Sequence, residues 1–211
     1  AVDFFPQFGA SLDERAFNSP DPAVRQQNQT AFQGIITFCK LVGIPGFTIS
    51  PGMHHPDRSY NENLDSTAEA LNALTDIAGE QNIAVRFEPH VMSVVDTPER
   101  ALALLERTPQ ATVTLDYSHF TLQYIPDERI HPLLAHTDHF HIRPARPGKL
   151  QSRLDENTID FVDIVNRLKA LNYQRCLSVE FVHMTWYDCN QVDCLTETIF
   201  VKDLLQDHVP V

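Results

Sequence analysis

Apolar and polar positions along this chain follow two periods that take turns. Short strand-like runs stand at residues 2–5, 83–87, 111–115, 139–142 and 176–179. A further one, built by Gly46-Phe47-Thr48-Ile49, is closed by Ser50-Pro51-Gly52. Between them the spacing is helical. Asp21-Pro22 combines an N-cap with proline at the first helical position and opens a helix to about residue 41. Residues 63–79 carry Leu64, Ala68, Leu71, Leu74 and Ile77, the i, i+3, i+4 pattern of a surface helix. Thr97-Pro98-Glu99 opens a helix to about 107, a helical stretch ends near 135, and two more helices span 157–171 and 192–205. Six βα units can be counted. Strands alternating with helices at this interval predict a parallel sheet, with ligands held beyond the C-terminal ends of its strands.

Four polar residues stand at those ends. Glu88, Asp116, His141 and Glu180 each close a strand-like run and are separated by 28, 25 and 39 residues. A (β/α)₈ TIM barrel uses roughly 31 residues per repeat and brings its strand ends to one rim. Any one of the four alone reads as a buried polar residue or a helix cap; four in series point to a shared site. Two glutamates, an aspartate and one imidazole suit a divalent ion acting as a Lewis acid, such as Mn²⁺, Mg²⁺, Co²⁺ or Zn²⁺. Six units do not close eight strands, so an open, doubly wound six-stranded sheet is the alternative. A flat sheet would spread the four residues over about 14 Å at ~4.8 Å per strand, and convergence therefore favours the barrel.

The glutamates suggest a reaction. With Glu88 and Glu180 on opposite sides of a substrate, one removes a proton next to a carbonyl and the other returns it, through an enediolate. His119, three residues after Asp116, either binds a substrate oxygen or caps the next helix. Arg143 lies two residues beyond His141 on the same side of its strand. It either meets a substrate oxyanion or pairs with one of the acids. His54 and His55 follow the Ser50-Pro51-Gly52 turn, on a loop that faces substrate in a barrel, or are simply solvated. His90, after Glu88-Pro89, is a further substrate-side or orienting residue. Trp186 and Tyr187 either wall the pocket or pack.

Composition narrows the partners. With 211 residues, 43% hydrophobic and 21% charged, the chain reads as one globular domain over 1–211. Sixteen basic against 28 acidic residues give a formal charge of −12, which argues against nucleic acid and anionic membrane surfaces as partners. No apolar run reaches membrane-spanning length, and the first residues lack the pattern of a signal peptide. Cys39, Cys176, Cys189 and Cys194 are too scattered for a disulfide framework, so a cytoplasmic protein with reduced thiols is expected. Cys189 and Cys194 with His183 make a poor zinc set, lacking a second close pair. An oligomer is compatible with all of this.

Arg86-Phe87-Glu88-Pro89-His90, Leu115-Asp116-Tyr117-Ser118-His119, His139-Phe140-His141-Ile142-Arg143 and Ser178-Val179-Glu180-Phe181 together resemble the xylose-isomerase-like TIM-barrel superfamily. The closest likeness is to its sugar phosphate isomerase/epimerase branch. The resemblance implies that the Glu, Asp, His and Glu of the fifth to eighth strands bind one divalent metal, often manganese. It also implies that Glu88 and Glu180 act as acid and base, and that His119 contacts substrate. On this alignment residues 2–5 are the third strand, and the first two βα units, about sixty residues by the repeat length, are absent from this sequence. Endonuclease IV, a three-zinc nuclease of the same superfamily, is similar at Asp116–His119 and His141. It needs an Asp-X-His motif that nothing between His141 and Glu180 supplies. The expectation is a metal-dependent isomerase or epimerase of a small polyhydroxy carbonyl compound, in carbohydrate metabolism. A dehydratase on the same site and a non-catalytic barrel that binds metal or sugar are the alternatives.

Overall fold

Proline fixes the start of the first helix. In the computed structural model, which describes residues 1–208, α1 (Pro22–Val42) begins behind Asp21, whose carboxylate accepts the Ala23 N–H at 2.8 Å. The helix ends at Gly43, whose φ of 72° is left-handed and suits a residue without Cβ. The chain forms two compact units, Ala1–Thr114 and one that begins at Leu115.

In the first unit α1 is followed by β1 (Gly46–Ile49), α2 (Tyr60–Gly79), β2 (Ala84–Phe87), α3 (Pro98–Leu105) and the start of β3 (Thr112–Asp116). α2 opens with a capping box in which the Ser59 hydroxyl accepts the Glu62 N–H and the Glu62 carboxylate accepts the Ser59 N–H. β1 and β2 run parallel, Gly46 opposite Ala84 and Ile49 opposite Phe87. β2 continues parallel to β3 with Phe87 opposite Val113. The core joins the strands to Phe32, Ile36 and Cys39 of α1 and Leu64, Leu71 and Leu74 of α2. Phe32 stacks on Phe47 with ring centroids 6.0 Å apart.

The run at residues 2–5 does not form the expected strand. A single ladder-type bond, Thr48 N–H to Phe4 O at 2.9 Å, ties it to β1. Pro6 has no N–H with which to extend a ladder. The segment is held instead through the Asp3 carboxylate, which meets Thr48 Oγ1 at 2.7 Å and Arg86 at 3.0 Å. Five strands are therefore formed among the described residues where six were read.

The second unit takes the last two residues of β3, then α4 (Ser118–Thr121), α5 (Asp127–Ile130), β4 (Thr137–Ile142), α6 (Phe161–Ala170), β5 (Leu177–Val179) and α7 (Cys194–Leu205). β4 and β5 are parallel, with His141 opposite Ser178. The helical stretch read up to residue 135 comes in three pieces, α4, α5 and a 3₁₀ turn over His131–His136. Pro126 and Pro132 interrupt it, since neither can donate the next helical bond. α6 starts at 161 and α7 at 194, later than their apolar patterns suggest, because Asp160 and Asp193 act as N-caps. The Asp160 carboxylate accepts the Asp163 N–H, and the Asp193 carboxylate accepts those of Leu195 and Thr196. Among the described residues no helix is long and apolar enough to cross a membrane.

Candidate metal centre

Three of the four residues expected to bind metal belong to the second unit, and the backbone brings them together. Asp116 is the last residue of β3 and fully buried. Its Oδ1 accepts the Ser118 N–H at 2.9 Å, an Asx turn that fixes the carboxylate's direction. His141 lies on β4 opposite Ser178, and Glu180 is one residue past β5, its N–H donating to Ile142 O at 3.0 Å. Side chains two apart share a strand face, so His141 and Arg143 project on the same side as Ser178 and Glu180. Asp116, His141 and Glu180 each offer a ligand atom within 4.8 Å of the others.

Arg143 sits among them. Its Nη2 lies 2.6 Å from Glu180 Oε2 and 2.8 Å from Asp116 Oδ2, and the residue is 3% exposed. The charge-partner reading of Arg143 is thus realised. His141 Nδ1 contacts the same Glu180 Oε2 at 2.8 Å. His119, also buried, places Nε2 3.8 Å from Asp116 Oδ2.

The electrostatics separate the two carboxylates. Burial pushes the Asp116 carboxyl up; Arg143 opposes this and Glu180 adds to it. Burial acts in the same direction on Glu180. There Arg143, the hydrogen bond from His141 and the nearby His119 prevail, holding its carboxyl well below the usual range. Glu180 is therefore ionised at neutral pH.

A divalent ion fits these donors. Asp116 Oδ2 is buried and receives no aligned hydrogen bond among the described residues, its contact with Arg143 being a charge contact only. The Arg143 guanidinium supplies positive charge there, and since a carboxylate oxygen can take more than one partner, a lone pair of Oδ2 stays open to a metal ion. Two carboxylates with an imidazole are a donor set of the kind Mn²⁺, Mg²⁺ and Zn²⁺ accept.

Glu88, His90, His54 and His55 lie in the first unit. Glu88 follows β2, is 5% exposed, and donates its N–H to Ile49 O at 3.0 Å. His90 is buried. Its Nδ1 lies 2.7 Å from Val91 O, an acceptor, so that nitrogen carries a proton, and Nε2 lies 2.9 Å from Ser50 Oγ. His54 is exposed on the loop after β1, and His55 Nε2 lies 3.3 Å from Asn18 Oδ1.

Sequence reasoning missed Gln151. It is fully buried, its amide donating to Val182 O and Cys189 O at 2.9 and 2.7 Å while its carbonyl oxygen accepts the Val182 N–H at 2.9 Å. A glutamine in a Pro- and Gly-containing loop carries no periodic signal, so nothing in the pattern marked it.

Comparison with known proteins agrees with this fold. No curated protein matches the sequence. Among solved structures, the IOLI protein with a bound zinc atom shares 19% identity at a TM-score of 0.75, over 93% of this chain and 75% of that one. An L-ribulose 3-epimerase shares 18% at 0.75, over 93% and 73%. A 3-keto-D-glucoside 4-epimerase from E. coli shares 16% at 0.70, over 89% and 75%. The family described as xylose isomerase-like TIM barrel matches residues 5–197, and the chain belongs to that family.

Proposed function

We propose that this protein is a divalent-metal-dependent isomerase or epimerase of a small sugar or related polyhydroxy carbonyl compound. The observation that carries the reading is the convergence of Asp116, His141 and Glu180 around a buried carboxylate oxygen with no aligned donor. The epimerases of like fold support the substrate class, and the zinc of the IOLI protein supports a metal. Glu88 is the proposed fourth ligand. Its N–H bonds the neighbouring strand's last residue, Ile49, just as that of Glu180 bonds Ile142. Manganese is the proposed ion, from the family likeness.

When bound, the ion supplies Lewis acidity, drawing electron density from the substrate carbonyl and acidifying the neighbouring C–H. Glu180, held ionised by Arg143 and His141, has the form that accepts a proton. Glu88 is its counterpart as acid or base. Arg143 and His119 hold Asp116 and Glu180 in place and offer donors to substrate oxygens; His90 and His54 are the further proposed substrate contacts.

The test is hydrogen exchange from solvent. Metal-loaded protein incubated with a panel of ketoses in D₂O should place deuterium on the carbon beside the carbonyl of at least one sugar. Glu180→Gln should slow this by at least ~100-fold, the lower range for a lost general acid–base. No incorporation into any sugar by metal-loaded protein would contradict the proposal, and incorporation with loss of water would identify a dehydratase.

A further inference from the structure

After β5 the second unit builds a loop that the reaction above leaves unused. Two of its residues, Tyr187 and Asp188, adopt left-handed backbone (φ 49° and 56°) although neither is glycine. Such conformations persist only where the surroundings over-determine them, and here the fastening is visible. The buried Gln151 amide bonds Val182 at one end of the loop and Cys189 at the other. Two backbone bonds close it internally, Asp188 N–H to Thr185 O at 3.1 Å and Asn190 N–H to Met184 O at 2.9 Å.

What the fastened loop holds is an aromatic corner. Trp186 and Tyr187 meet edge to face, with centroids 4.8 Å apart and planes at 82°. Trp186 is half-buried and Tyr187 is 36% exposed. The corner lies beside the candidate metal centre, because the ring centroids of Trp186 and His119 are 6.4 Å apart and His119 itself approaches Asp116. Partly exposed aromatic rings beside convergent polar groups are the composition of a ligand-binding wall. A ring face packs well on the C–H face of a sugar, while the hydroxyls of that sugar turn to the polar side.

We infer that residues 182–190 form a pre-built carbohydrate wall, in which Trp186 and Tyr187 take the C–H face of a polyhydroxy substrate and Gln151 is the positioning residue. The inference rests on the sugar-substrate reading above and assigns substrate contacts that the reading does not contain.

Trp186 is the only tryptophan of the chain, so its emission reports on the wall alone. The probe is D-fructose, titrated into the Mg²⁺-loaded full chain to well above ~1 mM, the upper end of ordinary KM values. Emission should change saturably. Tyr187→Ala, at an exposed position, should weaken the half-saturation by up to about tenfold, the equivalent of one aromatic contact, and should raise KM with kcat nearly unchanged. Gln151→Ala should abolish the emission change while leaving the far-UV circular dichroism intact. If that variant fails to fold, Tyr187→Ala alone decides.

A saturable response to D-fructose, with no solvent exchange into D-fructose or any other ketose of the panel above, would uphold the wall and sink the isomerase reading. Solvent exchange into D-fructose with no emission change, and with KM unmoved by Tyr187→Ala, would overturn the wall and leave the isomerase reading standing. No emission change and no exchange would overturn the wall as well.

Discussion

Arg143 is the residue on which the second unit's carboxylates balance. It neutralises Asp116 and Glu180 together, so Arg143→Met leaves two close carboxylates facing each other with a histidine. Both folded-state pKa values then rise relative to the parent protein. The penalty is therefore fully present where both groups are ionised and shrinks as falling pH protonates them. Metal-free Arg143→Met should lose about 3 kcal/mol at pH 7, the lower range for breaking a buried pair, and clearly less at pH 4.5. Urea unfolding at the two pH values measures this, and an equal or larger loss at the acid end would contradict it. The sequence made Asp116, His141 and Glu180 legible because each closes an apolar run, and a strand end fixes where a side chain goes. It left Arg143 between two readings, since strand periodicity gives its face but not the oxygen it meets.

At the level of elements, the late starts of α6 and α7 show how caps override apolar pattern. Cys189 and Val192 are buried like helix residues, yet α7 begins only at Cys194, where the Asp193 carboxylate takes two N–H groups at 3.1 Å each. Asp193→Ala should cost about 1 kcal/mol, an ordinary capping loss. Hydrogen exchange should rise in the first turn of α7 and stay unchanged in β4. An undisturbed first turn would mean that tertiary contacts, such as the buried Glu197 carboxylate on Leu154 N–H at 2.7 Å, carry that end alone. The same logic explains residues 2–5. Their apolar character is that of a strand, but strand formation is decided by a repeating ladder, and one bond from Thr48 with Pro6 beyond it does not make one. Gln151 was invisible for a related reason, as its three bonds reach segments some thirty to forty residues distant.

For the whole molecule, the family membership settles the fold, and the proposal adds a single ion shared by Glu88, Asp116, His141 and Glu180. An ion that binds only the folded chain must stabilise it, by about 2.7 kcal/mol at a hundredfold excess over Kd. Manganese should therefore raise the melting temperature of metal-free protein, and Asp116→Asn should remove most of the rise; an unaltered rise in that variant would place the ion elsewhere. The most direct measurement is a calorimetric titration of Mn²⁺ into the metal-free chain and into Glu88→Ala, Asp116→Ala, His141→Ala and Glu180→Ala. One ion per chain should bind the parent protein, and each substitution should weaken it by at least ~100-fold, beyond the usual effect of losing an outer partner. Unchanged affinity in Glu88→Ala, or in any of the other three, would contradict a site made by all four.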